Sequence, residues 1–210
     1  MNLKENFLNF CETNEFEIND HQLDVIEDLK KFYKENFKKT FLTKILSKKE
    51  TKAGYYLVGD VGVGKTMILN FFFDELKEKK LRLHFNEFMI NFHDFIFKNK
   101  NKENGINYFV QDLKDRAQII YFDEFQVTNI VDAMILGKLF KKIFEAKIKF
   151  IFSSNTRIKD LYKDGIQREQ FIPFLKVLEN NSYEKELLID DDYRSRNNKN
   201  FERFLFPINQ

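Results

Sequence analysis

GYYLVGDVGVGKT, residues Gly54–Thr66, decides the fold. Its first five residues are β-rich and apolar. The next eight, Gly59-Asp60-Val61-Gly62-Val63-Gly64-Lys65-Thr66, fit G-x-x-x-x-G-K-[ST] at every fixed position. The stretch that follows, about 65–79, is apolar on several faces and ends in Lys77, Lys79 and Lys80, so a helix with cations at its C-terminal dipole is expected. Strand, glycine-rich turn and helix, in that order, are what a phosphate cradle needs. Successive backbone N–H groups converge on an anion that also sits at a helix N-terminus. Three of the chain's seven glycines lie in this one turn. Lys65 is expected on the β- and γ-phosphates and the Thr66 hydroxyl on Mg²⁺, so ATP and Mg²⁺ are the ligands implied.

Downstream, Ile119-Ile120-Tyr121-Phe122-Asp123-Glu124 is an apolar strand that ends in two carboxylates. Beside a phosphate loop these divide the labour of hydrolysis: Asp123 suits the Mg²⁺ shell and Glu124 the polarising of the attacking water. A further apolar strand, Lys149–Ser153, runs into Ser154-Asn155. In ATPases with an additional strand, a polar residue at that tip senses the γ-phosphate, and Asn155 is the candidate. The remaining pattern predicts a helix over 20–36 with Asp20 as N-cap and Leu23, Ile26, Leu29 and Phe32 on one face. It also predicts a strand at Leu81–Phe85, a helix at Phe88–Phe97, a polar loop over Lys98–Asn107, a helix at about 129–146 and a fifth strand at Lys185–Asp190. Alternating strands and helices imply a parallel sheet with right-handed crossovers. The expected fold is therefore a three-layer α/β P-loop NTPase core with five parallel strands. The expected division is an N-terminal helical segment (1–50), the ATPase core (51–194) and a short tail (195–210).

Composition narrows the rest. The 210 residues suit one domain, and 43% hydrophobic residues can bury a core. Lysine and arginine total 35 against 33 acidic residues, a net +2, which argues against a dedicated nucleic-acid or polybasic membrane surface. The single cysteine, Cys11, excludes an intrachain disulfide, and no Cys/His spacing suits zinc. Apolar runs such as Met67–Phe73 fall far short of the roughly 20 residues that span a bilayer. The N-terminus has no signal-peptide pattern. These features predict a soluble, cytoplasmic protein. The 26 phenylalanines fit AT-rich codon usage better than any function.

Four blocks together, GYYLVGDVGVGKT, LHFNEFM, YFDEFQVTNIVDAMIL and SSNTRIKDLYKDGIQREQFIPFL, resemble the ZapE/Afg-type ATPases, a branch of the AAA+ superfamily, over roughly residues 20–194. The resemblance implies a bacterial cytoplasmic ATPase, peripheral at the inner membrane in one version, coupled to a protein partner in cell division or membrane-protein quality control. It implies a homo-oligomer in which Arg168, within Gly165-Ile166-Gln167-Arg168, serves as an arginine finger to the neighbouring copy. Gln22, with Asp20, falls where the family begins its nucleotide-binding region and would help hold the adenine. Asn86 corresponds to a residue that restrains the catalytic glutamate, although the family usually has His there. Phe88 and Met89 read as core, with a substrate-gripping pore element as the rival; His84 and His93 read as packing or hydrogen-bonding residues and Asp190–Asp192 as a solvated turn. Family chains continue beyond Asp192-Tyr193-Arg194, so the lid region is expected to be largely absent from these 210 residues. Two other readings share the phosphate loop: a nucleotide-gated adaptor with negligible turnover, and a helicase-loader-like nucleic-acid-binding ATPase, which the net charge and FDEFQVT disfavour.

Overall fold

A computed structural model describes residues 2–38, 51–99, 104–127 and 130–188. Five strands form the sheet: β1 (Gly54–Val58), β2 (Lys80–His84), β3 (Ile119–Asp123), β4 (Lys149–Ser154) and β5 (Ser182–Glu186). All pairs are parallel and the order is β2-β3-β4-β1-β5. The helices are α1 (Leu3–Thr13), α2 (Asp20–Phe37), α3 (Lys65–Glu75), α4 (Phe85–Lys98), α5 (Gly105–Arg116), α6 (Ile130–Glu145) and α7 (Ile172–Asn181). This is the three-layer parallel α/β fold that the sequence predicts.

The strand order matters most for the site. β4 is inserted between β1 and β3, so the strand carrying the glycine-rich turn and the strand ending in the acids are not direct neighbours. The register sets Val58 level with both Ser154 and Glu186, and His84 level with Asp123. The carboxyl ends of the strands therefore share one rim, where ligands bind in open α/β sheets.

Side-chain alternation sorts the core into two layers. Tyr56, Phe122, Phe150 and Phe152 face α4, α5, α6 and α7, while Tyr55, Leu57, Tyr121 and Ile151 face α1, α2 and α3. Because β1, β3 and β4 are covered on both faces, they read as nearly continuous apolar runs. Phenylalanine rings fill the first layer: Phe122 lies 5.3 Å from Phe150 and 4.9 Å from Phe88, centroid to centroid. Burying each such ring contributes about 1.5–3 kcal/mol. On the other face Phe7 of α1 meets Phe71 of α3 edge-on at 5.1 Å.

Several boundaries differ from expectation for local reasons. Asn19, not Asp20, caps α2: its Oδ1 accepts from Gln22 N at 2.8 Å, and its own N donates to Gln22 Oε1 at 3.3 Å, a capping box. The helix after the phosphate loop stops at Glu75, since Leu76 is extended and β2 starts at Lys80. α4 begins directly at Phe85, so Asn86 sits in a first helical turn and not at a strand end. α5 replaces the end of the expected polar loop; its buried stripe is Phe109, Val110 and Leu113. β5 lies at Ser182–Glu186 and not Lys185–Asp190, because pairing with β1, continued by Leu187 N to Val58 O at 2.7 Å, fixes its position. Asp190–Asp192, the tail 195–210, residues 39–50 of the N-terminal segment, and Thr128 and Asn129 lie outside the described residues. Among the described residues no helix is long and apolar enough to cross a membrane.

Candidate nucleotide site

The turn between β1 and α3 uses its three glycines for different reasons. Gly62 and Gly64 have φ of +85° and +95°, where L side chains are strained. Gly59 is required by proximity instead: a Cβ there would come within 2.5 Å of the Leu187 carbonyl oxygen, at the end of β5. Val61 stands 83% exposed at the tip of the loop, whereas Val63 is buried beneath it.

Lys65, the first residue of α3, is only 7% exposed. Its Nζ donates to Gly59 O at 2.8 Å, to Asp60 O at 2.7 Å and to Asn155 Oδ1 at 2.8 Å. Burial pushes its pKa below the ordinary lysine value, and the negative charges of Asp60 and Asp123 oppose that shift. The inserted strand β4 thus delivers Asn155 to the phosphate-loop lysine. A cavity of about 380 Å³ opens beside them, lined by Gly59, Asp60, Asn155, Arg157, Glu186 and Leu188 among others, with Arg157 and Glu186 ion-paired across it.

The second cluster centres on Asp123, whose side chain is 8% exposed. Thr66 Oγ1 approaches Asp123 Oδ1 at 3.4 Å, the Tyr121 hydroxyl donates to the same oxygen at 3.1 Å, and Arg82 Nη2 donates to Oδ2 at 2.6 Å. Burial, and then the adjacent Asp123 charge, push the Tyr121 phenol upward, which keeps it a proton donor. Thr66 and Asp123 fit a small hard cation: a hydroxyl and a carboxylate oxygen lie side by side at the mouth of a phosphate cradle, leaving other coordination positions to phosphate and water. Among the described residues no group of three or more His, Cys, Asp or Glu could hold a metal by itself. Mg²⁺ held there would neutralise developing phosphate charge.

Glu124 is exposed on the turn after β3 with φ +52°, a left-handed conformation that costs an ordinary residue about 1–2 kcal/mol. The turn is tied to the tip of β4: Phe125 N donates to Ser153 O at 2.6 Å, and Ser154 Oγ donates to Phe125 O at 2.8 Å. Ser154 also accepts from Thr156 N at 3.1 Å, and its carbonyl accepts from Gly59 N at 3.3 Å. One buried serine therefore joins the turns that carry Gly59, Glu124 and Asn155.

The other expected site residues fall around this centre. Gln22 Nε2 donates to Val63 O at 3.5 Å, and with Phe16, Asn19, Gly64 and Met67 it lines a cavity of about 140 Å³ on the far side of the loop. Arg168 is in neither the Lys65–Asn155 nor the Asp123 cluster; it lies in a short 3₁₀ turn, Arg168–Gln170, and its Nη2 donates to Lys159 O at 2.6 Å. Its Nε is buried without a hydrogen-bond partner. Phe88 and Met89 are 1% and 4% exposed, so they are core and cannot grip a substrate. His84 precedes α4 as its N-cap, and His93 packs against the Phe92 ring at 5.5 Å. Tyr121, Arg82 and Ser154 were not anticipated as site residues. Tyr121 alone carried a signal, a phenol two residues before an acid and hence on the same strand face.

The AFG1-like ATPase family matches residues 1–210. A protein of Schizosaccharomyces pombe, "Uncharacterized protein C115.02c", is 34% identical over 88% of this chain and 42% of its own length. The cell division protein ZapE of Escherichia coli K12 is 29% identical over 74% of this chain and 42% of its own length. The chain thus spans less than half of these curated relatives. Among solved structures, the crystal structure of DnaI aligns with TM-score 0.58 at 16% identity, over 85% of this chain and 88% of that one, a likeness of fold. With a family match from end to end on a P-loop fold, the chain belongs to the AFG1-like ATPase family.

Proposed function

We propose that the chain binds ATP with Mg²⁺ in the β1–α3 turn and hydrolyses it by in-line attack of water on the γ-phosphorus. The observation that supports this reading is the hydrogen bond from Lys65 Nζ to Asn155 Oδ1, which joins the two side chains expected to meet the γ-phosphate. Backbone N–H groups of Gly59 to Thr66 receive the phosphates, Thr66 and Asp123 hold the metal, and Glu124 orients the water. Gln22 and its cavity take the adenine side, and Arg168 completes the site of a neighbouring copy. Hydrolysis is coupled to a protein partner, as the name of the division-protein relative suggests. Division or membrane-protein quality-control machinery in the bacterial cytoplasm or at the inner-membrane surface is the proposed setting. The net charge of +2 argues against nucleic acid as the partner. Steady-state phosphate release by the parent chain and by Glu124→Gln tests the reading. Turnover in the parent that disappears in the variant supports it. Tight ATP binding with no turnover in either would establish the adaptor instead.

A further inference from the structure

Asp123 is held by two groups that the phosphate site does not itself require. Tyr121 is fully buried, two residues upstream on the same face of β3, and gives its hydroxyl to Oδ1 at 3.1 Å. Arg82 lies on the edge strand β2, level with Tyr121 in the register, and gives Nη2 to Oδ2 at 2.6 Å. Its guanidinium carbon also lies 5.2 Å from the centre of the Tyr121 ring, so the ring helps to fix the fork. A charge-assisted bond of this length is stronger than a neutral one. Turning the carboxylate plane out of this orientation would break it, so one carboxylate oxygen stays directed at the Thr66 hydroxyl while the other is held by Arg82.

Resting on the Mg²⁺ reading of Thr66 and Asp123, we infer that Arg82 and Tyr121 are positioning residues for that metal pair. Neither touches phosphate; both act through the Asp123 carboxylate. Two effects of Arg82 oppose each other. Its positive charge subtracts from the field that attracts a cation, and its hydrogen bond holds the carboxylate in the one orientation that serves the cation. Orientation wins, because without Arg82 a buried carboxylate oxygen loses its charged partner and the group turns to find another, away from Thr66.

The test uses Mn²⁺ as a paramagnetic stand-in, titrated into the full chain with saturating ADP and followed by the spin-resonance signal of free Mn²⁺. Nucleotide affinity is measured in parallel in EDTA. Arg82→Ala is expected to weaken Mn²⁺ binding about tenfold or more, and Tyr121→Phe, which keeps the ring against Phe73, about threefold or more. Arg82→Lys should recover part of the loss, while metal-free nucleotide affinity stays within about twofold in every variant. Unchanged or tighter Mn²⁺ binding in Arg82→Ala overturns the inference, because the charge then acts only as a competitor. So does an equal loss of metal-free nucleotide affinity, which would mark general damage. Failure of the parent itself to take up Mn²⁺ with ADP removes the metal reading first and the positioning role with it.

Discussion

Lys65 donates to Asn155 Oδ1 at 2.8 Å although 90 residues separate them. The contact exists because β4 stands between β1 and β3, and so brings the tip of a third strand against a turn that begins with Gly59. With Gly59 O and Asp60 O as its other acceptors, the ammonium has a partner for each of its three protons. A phosphate entering the turn would meet Lys65 and Asn155 together, so their proposed roles are separable only by their effects on binding and on rate.

Lys65→Ala should therefore remove most binding affinity, whereas Asn155→Ala should spare it. Two charge-assisted bonds to phosphate at about 1.5–3 kcal/mol each make a loss of about 100-fold or more in ATP affinity the expectation for Lys65→Ala. The substitution opens no apolar cavity, and a cooperative melt should persist. Asn155→Ala should keep affinity within several-fold and lower turnover about 100-fold. Fluorescent-nucleotide titration and phosphate release read the two effects; an Asn155→Ala chain as fast as the parent would remove the sensor role.

Glu124 holds a backbone conformation that glycine adopts more easily. At φ +52° a glycine is at ease and a glutamate is not. Glu124→Gly should raise stability by up to about 1 kcal/mol, or about 2–4 °C in Tm for a chain of this size, and at the same time stop hydrolysis. Glu124→Gln should leave Tm unchanged and also stop hydrolysis while retaining ATP. Thermal melts beside phosphate release would show it; a Glu124→Gly variant that loses stability would mean that the side chain anchors the turn.

The loop glycines should separate by mechanism. In Gly59→Ala the new methyl meets backbone, the Leu187 carbonyl oxygen at 2.5 Å, and cannot be accommodated without moving β5. A cost of about 1–3 kcal/mol is expected, together with a loosened turn. Gly62→Ala meets nothing within 4 Å and has only φ +85° to contend with, about 1–2 kcal/mol. Urea denaturation of the two should rank Gly59→Ala as the more damaged, and Leu187→Ala, which keeps the carbonyl, should not relieve it.

What the sequence made legible follows from where the information is stored. The phosphate turn, the paired acids and Asn155 are contiguous motifs whose neighbours announce a strand or a helix, and the structure brings Lys65 against Asn155 and Thr66 against Asp123. Arg82 could not be found this way, because its partner lies 41 residues on and only the β2–β3 pairing joins them. β5 escaped for a related reason. SYEKE has an edge strand's polarity, and its place is set by hydrogen bonds to β1, while the more apolar residues just after it drew the prediction downstream. α5 was hidden by the Asn and Gly that open it, which read as loop until the buried faces of Phe109 and Leu113 are seen together.

Arg168 tests whether the site is complete in one chain. Within its own chain the side chain ties its 3₁₀ turn to the Lys159 carbonyl, and its Nε remains without a partner. A staple of that kind could be replaced by lysine, which also donates to a carbonyl. A finger could not, because stabilising charge on a transferring phosphoryl group uses the planar fork of arginine and is worth about 10³-fold or more in rate. Arg168→Lys should therefore keep the parent's Tm yet lose most turnover. If the finger serves a neighbouring copy, specific activity should climb with protein concentration. Mixing Arg168→Ala with Lys65→Ala chains should restore part of it, because only a mixed interface pairs an intact phosphate turn with an intact arginine. Phosphate release that is independent of concentration, and equal in parent and Arg168→Lys, would leave Arg168 as the staple of its own loop.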